Sequence, residues 1–309
     1  MSGFATYLVR RLVAAAVTLL GVILVMVLLV RVMPGDPARV VAGLLATPEQ
    51  VEQVRLAMGL DQPVPVQYGH YLVNLAHGSL GMSARFGTTV LSEIGQRLPY
   101  TIVLAVLGTL VGAVFGIALG VLAATHKGRW ADALGSMLGV VGISMPVYWL
   151  GILLIVLFSV QLKWLPIGGA DSLASLVMPT LTLGVFSTAV VSRMTRSTML
   201  DTLGQDYVRT ARAKGMTEGV VLFRHVLRNA LIPILTNIGL QLPGIFVGSF
   251  LIEVFFSIPG LGREVLLAVN RSDFPVIQAV TIYLAVLTMV INLATDLAYK
   301  LADPRVVLK

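Results

Sequence analysis

The chain has no cysteine and few charged residues for its length. Asp, Glu, Lys and Arg make up 12% of its 309 residues, against roughly 25% in an ordinary soluble domain, whereas 57% of the residues are hydrophobic. The lack of cysteine excludes a disulfide framework, a cysteine-ligated zinc site and a thiol nucleophile. The shortage of charge indicates a protein whose solvent is the lipid bilayer.

Sequence motifs for nucleotide binding and hydrolysis are absent as well. The chain has no G-x-x-x-x-G-K-[ST] loop to cradle nucleotide phosphates, no H-E-x-x-H zinc motif and no G-x-S-x-G nucleophile elbow. Its four histidines are scattered, at His70, His77, His126 and His225. We therefore predict neither a metal site nor a hydrolytic site, and a membrane-embedded hydrolase would have no identifiable nucleophile.

What the chain does have is six long apolar runs, each meeting the requirement of about 18 residues for a spanning helix. We predict an all-α polytopic membrane protein, a single transmembrane domain over residues 1–309, with spans near 9–31, 98–126, 133–161, 173–193, 229–253 and 274–299. No charged residue lies in the middle of a span, so the chain lacks the buried Asp, Glu and His typical of proton-coupled carriers. An ion-coupled secondary carrier, coupled through backbone carbonyls, is the alternative from another class.

The basic residues favour one orientation in the membrane. If the N-terminus is cytoplasmic, most of the 22 Lys and Arg residues fall on the cytoplasmic side. Both termini are then cytoplasmic, because the number of spans is even. The excess of basic over acidic residues is thus explained by the orientation of the chain in the membrane. We predict contact with membrane lipid and no nucleic-acid partner.

The segment 32–97 between the first two spans is too long for a simple connector and carries its own helix signals. Thr47-Pro48-Glu49-Gln50 combines an N-cap, an N1 proline and a capping box, and Gly59 would end the helix. Further helices are predicted over 66–76 and 90–97. We interpret the segment as an extracytoplasmic helical loop that lies outside the membrane.

The most informative stretch lies in the predicted cytoplasmic loop 194–228 and runs from Gln205 to Pro233, QDYVRTARAKGMTEGVVLFRHVLRNALIP. Asp206 can cap a short helix, Gly215 can supply the positive φ that ends it, and Thr217 can cap a second helix toward residue 229. The pattern predicts helix, sharp turn, helix.

This stretch resembles the cytoplasmic coupling loop, or EAA loop, of type I ABC importer permeases, and most closely that of the dipeptide/oligopeptide/nickel branch. The phrases GLDQPVPVQY, GSLGMS and RLPYT in the loop 32–97 also resemble that branch, and the likeness extends from Tyr7 to Asp303-Pro304-Arg305. Arg209-Thr210-Ala211 stands where many such permeases have Glu-Ala-Ala. A glutamate-based contact therefore cannot be transferred to this chain.

The resemblance implies a non-catalytic permease subunit of an ATP-driven importer in a bacterial or archaeal cytoplasmic membrane. Dipeptides or oligopeptides are the expected solutes, with nickel chelates, glutathione and oligosaccharides as alternatives. The implied partners are a second homologous permease, two cytoplasmic ATPase subunits and a periplasmic or lipid-anchored substrate-binding protein. The chain itself would bind no cofactor, since ATP and Mg belong to the ATPase subunits. The loop 32–97 would either dock the binding protein or merely return the chain to the membrane.

The residues that would contact the ATPase follow from the same resemblance: Asp206, Tyr207, Val208, Arg209, Thr210, Ala211, Arg212, Ala213, Lys214 and Gly215. We expect the apolar Tyr207, Val208 and Ala211 to face a groove on the ATPase, and the basic side chains to face acidic or carbonyl acceptors. An amphipathic loop resting on anionic lipid is the alternative.

Candidate residues of the translocation path are polar or lie beside a helix-breaking proline. Asn237 and Gln241 sit one turn apart in the fifth span, and either line the path or form interhelical hydrogen bonds. Ser144 and Tyr148 flank Pro146, which should kink the third span. By resemblance, the outer gate would include Glu253, Pro259 and Gly260.

The second span carries glycines at strict four-residue spacing: Gly108, Gly112, Gly116 and Gly120. Such a stripe lets two helix backbones approach closely in lipid. It predicts either packing within this chain or a seam with a second permease.

Overall fold

The structure is a computed structural model that describes the backbone of residues 2–32, 36–43, 45–83 and 87–302. Side chains are described up to residue 297 and from residue 6 onward, with the same internal gaps. The phrase Asp303-Pro304-Arg305 therefore lies outside the described residues.

The described residues fold almost entirely into helices. The helices are α1 Ser2–Val32, α2 Pro37–Ala42, α3 Pro48–Ala57, α4 Val64–Ala76, α5 Val90–Thr125, α6 Trp130–Ser144, α7 Val147–Leu154, α8 Leu173–Leu203, α9 Asp206–Ala213, α10 Glu218–Val220, α11 Arg228–Phe255, α12 Leu261–Asn270 and α13 Phe274–Ala302. Two π-helical segments, Ile155–Gln161 and Val221–Leu227, continue α7 and join α10 to α11.

Five helices of the described part are long and apolar enough to cross a membrane, and a bent pair would supply the sixth span. The pair is α6 followed by α7, and the chain turns by 103° between them. The predicted third span, 133–161, is therefore not one continuous helix. Pro146 lacks an N–H, and it forces Met145 into an extended conformation with ψ 125°, so the helix ends there.

Three spans begin or end elsewhere than the hydropathy predicted. The helix α5 begins at Val90 rather than at residue 98, so the separate helix predicted over 90–97 is its first part. The helix α8 ends at Leu203 rather than at residue 193. The fifth span is one helix from Glu218 to Phe255, so the predicted second helix of the loop is its first part. Each extension mixes polar residues with buried apolar ones such as Val90, Met199 and Val226. A hydropathy window reads that pattern as loop, although it is that of an amphipathic helix.

The chain divides into two compact units, an N-terminal unit that comprises the residues up to Pro99 and Gly260–Val290, and a central unit that comprises Tyr100–Pro259 and the residues from Ile291. In the N-terminal unit the predicted capping box is confirmed. Thr47 Oγ1 accepts from Gln50 N at 3.4 Å, and Gln50 Oε1 accepts from Thr47 N at 2.9 Å.

The helix α4, in the segment between α1 and α5, contacts two of the spans. It packs along the C-terminal half of α1, where Tyr68 donates a hydrogen bond to the Leu20 carbonyl at 3.1 Å. Its apolar face joins Ile23 and Val27 of α1 and Ile282 of α13 in one cluster. Burial raises the pKa of Tyr71, whose hydroxyl has no partner, to about 12.

In the central unit the glycine stripe of α5 packs against α8 of the same chain, which confirms the first of the two predicted roles. A Cβ at Gly108 would lie 2.8 Å from Leu183 Cβ, and one at Gly116 would lie 2.6 Å from Val191 Cβ. Gly112 meets Ser187, and Gly120 meets Thr195 and the Ser192 carbonyl, in the same way. The backbones of α5 and α8 thus approach closely because no side chain separates them.

We expect Gly116→Ala to destabilise the fold by about 1–3 kcal/mol, because the added methyl overpacks the α5–α8 contact. Gly95→Ala is the matched control on the same helix, since a Cβ at Gly95 meets no atom within 4 Å. There the better helix propensity of alanine should raise stability slightly. Unfolding of both purified variants in detergent measures the two effects, and a similar change in both would disprove the close contact.

Candidate functional site

The loop between α8 and α11 contains the short helix α9, as predicted, with small differences at its start. Gln205 is the N-cap, and Asp206 is the first helical residue, where its charge complements the helix dipole instead of capping an N–H. Gly215 has φ +76°, so it provides the predicted left-handed turn. Thr217 occupies the next N-cap without a side-chain hydrogen bond.

One face of α9 is buried in the chain itself, contrary to the expected orientation. Val208 is fully buried and Ala211 is 5% exposed. They pack into an apolar cluster with residues of α5, α8, the π-helical segment and α11: Ala124, Val191, Met199, Val221, Val226, Ala230 and Ile234. Val208 and Ala211 therefore hold α9 to the spans and are not free to enter a groove on another protein. Tyr207 differs from them and is 42% exposed.

The opposite face of α9 is exposed and basic. Its members are Arg209, Thr210, Arg212, Ala213 and Lys214. Arg212 forms a bidentate pair with Glu218 across the Gly215 turn, at 2.8 and 3.1 Å, and the hydrogen bond from this pair raises the pKa of Arg212. Three apolar side chains of the same loop are also exposed: Met216, Val220 and Phe223. The loop thus presents a mixed basic and apolar surface beside α9.

An ion pair that the sequence did not predict fixes the start of α6 to α8. Arg196 Nε and Nη2 donate to the two carboxylate oxygens of Asp132 at 2.5 and 2.9 Å. Asp132 also accepts from the Gly128 backbone N–H at 2.9 Å. The two partners are 64 residues apart in the chain, so no local spacing could have indicated the pair.

Two of the predicted path residues line one groove of about 470 Å³ between α7, α8 and α11, namely Tyr148 and Gln241. Asn237 lies one turn from Gln241, which donates to Asn237 Oδ1 at 2.6 Å. The predicted hydrogen bonding of this pair therefore lies within α11 rather than between helices. Ser144 lines a second groove on the other side of Pro146. The bend at Pro146 thus separates Ser144 from the other three residues.

The predicted outer-gate residues fall in both units. In the central unit Glu253 is fully buried, with Ser249 Oγ 3.5 Å from its carboxylate, and Pro259 is half-buried. In the N-terminal unit Gly260 is the N-cap of α12. Their role at a gate stays a prediction.

The N-terminal unit holds a second ion-pair cluster that the sequence did not reveal. Arg97 on α5 bridges Glu264 on α12 at 2.6 Å and Glu93 at 3.1 Å. Ser83 donates to Asp273 at 2.7 Å. The Arg97–Glu264 ion pair joins the start of α5 to α12. The Ser83–Asp273 hydrogen bond joins the segment before α5 to the residue that precedes α13. Among the described residues no three His, Asp or Glu side chains come together in a group that could hold a metal ion.

Among the described residues, five candidate spans, a bent helix pair that would supply a sixth, and a short basic helix before α11 agree with the architecture expected of an importer permease. The chain matches the family model described as binding-protein-dependent transport system inner membrane component over residues 116–308, and the corresponding N-terminal model over residues 4–105. The chain belongs to this family. It is a non-catalytic, multi-pass permease subunit of an ABC importer in the inner membrane, and the ATPase is a separate subunit.

Individual relatives agree with this assignment. The chain is 42% identical to the glutathione transport system permease protein GsiC of Salmonella typhimurium and of Escherichia coli K12, over 97% of its own length and 98% of theirs. The fold is similar to that of the MetNI methionine ABC transporter in its inward-facing conformation, with a TM-score of 0.57 and 19% identity over 67% of this chain and 95% of that one. An amino acid ABC transporter gives a TM-score of 0.52 at 16% identity, over 70% of this chain and 95% of that one. The ion-coupled carrier is left without support.

We expect Arg196→Ala to destabilise the central unit more than Asp132→Ala, because it leaves a nearly buried carboxylate without its main partner. A double-mutant cycle should give a larger coupling energy for this pair than for the exposed, equally bidentate pair of Arg212 and Glu218. Unfolding of the variants in detergent measures both cycles. Equal coupling energies would mean that the Asp132 pair is solvated like the other.

Proposed function

We propose that this permease imports a short peptide, glutathione or a close chemical relative, with ATP hydrolysis supplied by partner subunits. Relatives named as glutathione transport permeases match the chain over nearly its whole length. The groove between α7, α8 and α11 is within the usual volume of small-molecule sites, about 300–1,000 Å³. Both observations support a small solute, and the dipeptides and oligopeptides expected from the sequence belong to the same chemical class.

The full transporter, in this proposal, contains a second homologous permease, two cytoplasmic ATPase subunits that bind ATP and Mg, and a periplasmic or lipid-anchored substrate-binding protein. Membership of a binding-protein-dependent transport family supports the substrate-binding protein as a partner. Both termini and the α9 loop are cytoplasmic, and the segment between α1 and α5 is extracytoplasmic. The exposed basic side chains around α9 favour this orientation.

The coupling role is supported above all by the two different faces of α9, one buried against the spans and one exposed. Val208 and Ala211 hold the helix to three spans, while its basic face and Tyr207 remain exposed. The ATPase would contact this exposed face, and Met216, Val220 and Phe223 would supply the apolar contacts first expected from Val208 and Ala211. Movement of the ATPase subunits would then displace α9 together with the spans, as in transporters that rock between two packed states.

The contact can be tested by cross-linking, because the natural chain has no cysteine. A maleimide photo-cross-linker on Ala213→Cys should capture the ATPase subunit in the assembled complex, since Ala213 is on the exposed face of α9. Lys127→Cys, exposed in the turn between α5 and α6, is the control and should capture much less. Mass spectrometry identifies the product. Capture of the ATPase from position 127 but not from 213 would exclude α9 as the contact.

Gly215→Val should uncouple ATP hydrolysis from uptake without preventing membrane insertion. Valine is strained at φ +76°, so the turn after α9 would shift, although no atom within 4 Å opposes the side chain. Gly219→Val is the matched control in the same loop, where φ is not positive and a Cβ also meets nothing. Glutathione uptake per ATP hydrolysed, measured in proteoliposomes, should fall at least about tenfold in the first variant only. Normal coupling in Gly215→Val would contradict the proposed role of the loop.

A further inference from the structure

The turn between α5 and α6 presents two exposed cations, Lys127 and Arg129. Their side chains form no hydrogen bond or ion pair with a residue that the structure describes. The carboxylate of Asp132 lies close in sequence, but Arg196 and the Gly128 N–H already bind its two oxygens. The turn therefore offers two positive charges to an anionic ligand.

The helix α6, which follows this turn, has one buried face and one exposed face. The buried face consists of small or polar residues: Ala131, Asp132, Gly139 and Gly142. The exposed face consists of large apolar side chains at three- and four-residue spacing: Trp130, Leu134, Met137, Leu138 and Val141. Trp130 is the first residue of the helix and is 76% exposed. An exposed apolar stripe thus runs along α6, and a tryptophan lies at the end of the stripe beside the two cations.

This order of residues matches the layers of a membrane surface. Tryptophan is enriched where acyl chains meet headgroups, because its ring is apolar and its N–H needs a polar partner. Lysine and arginine extend from that level toward phosphate groups. Aliphatic side chains further along the helix contact acyl chains. A protein partner fits this surface less well, since the centre of a protein interface is depleted in lysine.

We propose that the α5–α6 turn and the exposed face of α6 bind one anionic phospholipid. Lys127 and Arg129 hold its phosphate-containing headgroup, Trp130 lies at the level of its ester groups, and Leu134 and Met137 contact an acyl chain. Inorganic phosphate shares the chemistry of the headgroup, but it would leave the apolar stripe uncovered. The site depends neither on the transported solute nor on the contact with the ATPase, so it can fail without the proposed function and the reverse.

The test uses the complete transporter in a phosphatidylcholine bilayer. A small, equal fraction of photoactivatable phosphatidylglycerol or phosphatidylcholine is added, with the reactive group near the headgroup end of an acyl chain. Phosphatidylcholine is the matched lipid, because its ammonium group compensates the charge of the same phosphate. Mass spectrometry counts the adducts on residues 127–141. Adducts with phosphatidylglycerol should exceed those with phosphatidylcholine at least about fivefold, since each basic residue near an anionic surface strengthens binding by about that factor.

Three variants assign this preference to the two cations. Lys127→Gln combined with Arg129→Gln should bring the ratio of the two adducts to about one. Lys127→Arg combined with Arg129→Lys keeps both charges and should keep the preference. Arg10→Gln is the matched control, because it removes an exposed cation from α1 and leaves the turn intact. It should not change the ratio.

Each of the other outcomes overturns the proposal. Equal labelling by both lipids in the unaltered transporter would mean that Trp130 anchors α6 in the bilayer without selecting a headgroup. No adduct with either lipid would mean that a partner subunit covers the turn. A preference that persisted in the double glutamine variant would place the binding elsewhere. If excess inorganic phosphate removed the preference at constant ionic strength, the turn would be a site for soluble phosphate instead of lipid.

Discussion

The burial of Val208 and Ala211 is the constraint on which the functional architecture depends. These two side chains fix α9 to α5, α8 and α11 through one apolar cluster. Protein interiors pack at crystal-like density and move as units, so a helix held in this way cannot be displaced without its neighbours. A loop that rested on the surface by its charges alone would lack that property. In the proposed coupling, the basic residues of α9 would make the contact with the ATPase and the apolar ones would transmit its movement.

Two further contacts extend this rigid unit away from α9. The glycines of α5 bring its backbone against α8, and the Asp132–Arg196 ion pair ties the first turn of α6 to the same helix. α6 then ends at the bend of Pro146, beyond which α7 forms one side of the groove. Close packing and one partly buried charge pair thus connect the loop to the groove through successive contacts within the central unit.

Much of the fold could be predicted from the sequence because its signals are local. Apolar runs gave the spans, Thr47 and Gln50 gave the capping box, and Gly215 gave the turn after α9. The break at Pro146 and the misjudged limits of three spans are local errors, and the other failures are long-range. Which face of α9 is buried depends on which spans lie beneath it, and the Asp132 pair joins residues 64 positions apart. The packing of α4 along α1 was missed because its prolines and polar residues outweighed an apolar face whose partner could not be known.

The groove between α7, α8 and α11 has no Asp, Glu, Lys or Arg in its lining that could move with a solute. The solute proposed above would therefore carry its own net charge across the membrane field, at about 2.3 kcal/mol per elementary charge for each 100 mV. Glutathione, the proposed solute, has a net charge of about −1 at neutral pH, because it has two carboxylates and one ammonium group. Its entry into a cell with a negative interior would move charge uphill. The transporter would then act as a small current source, and its rate would depend on membrane voltage even though no ion gradient drives it.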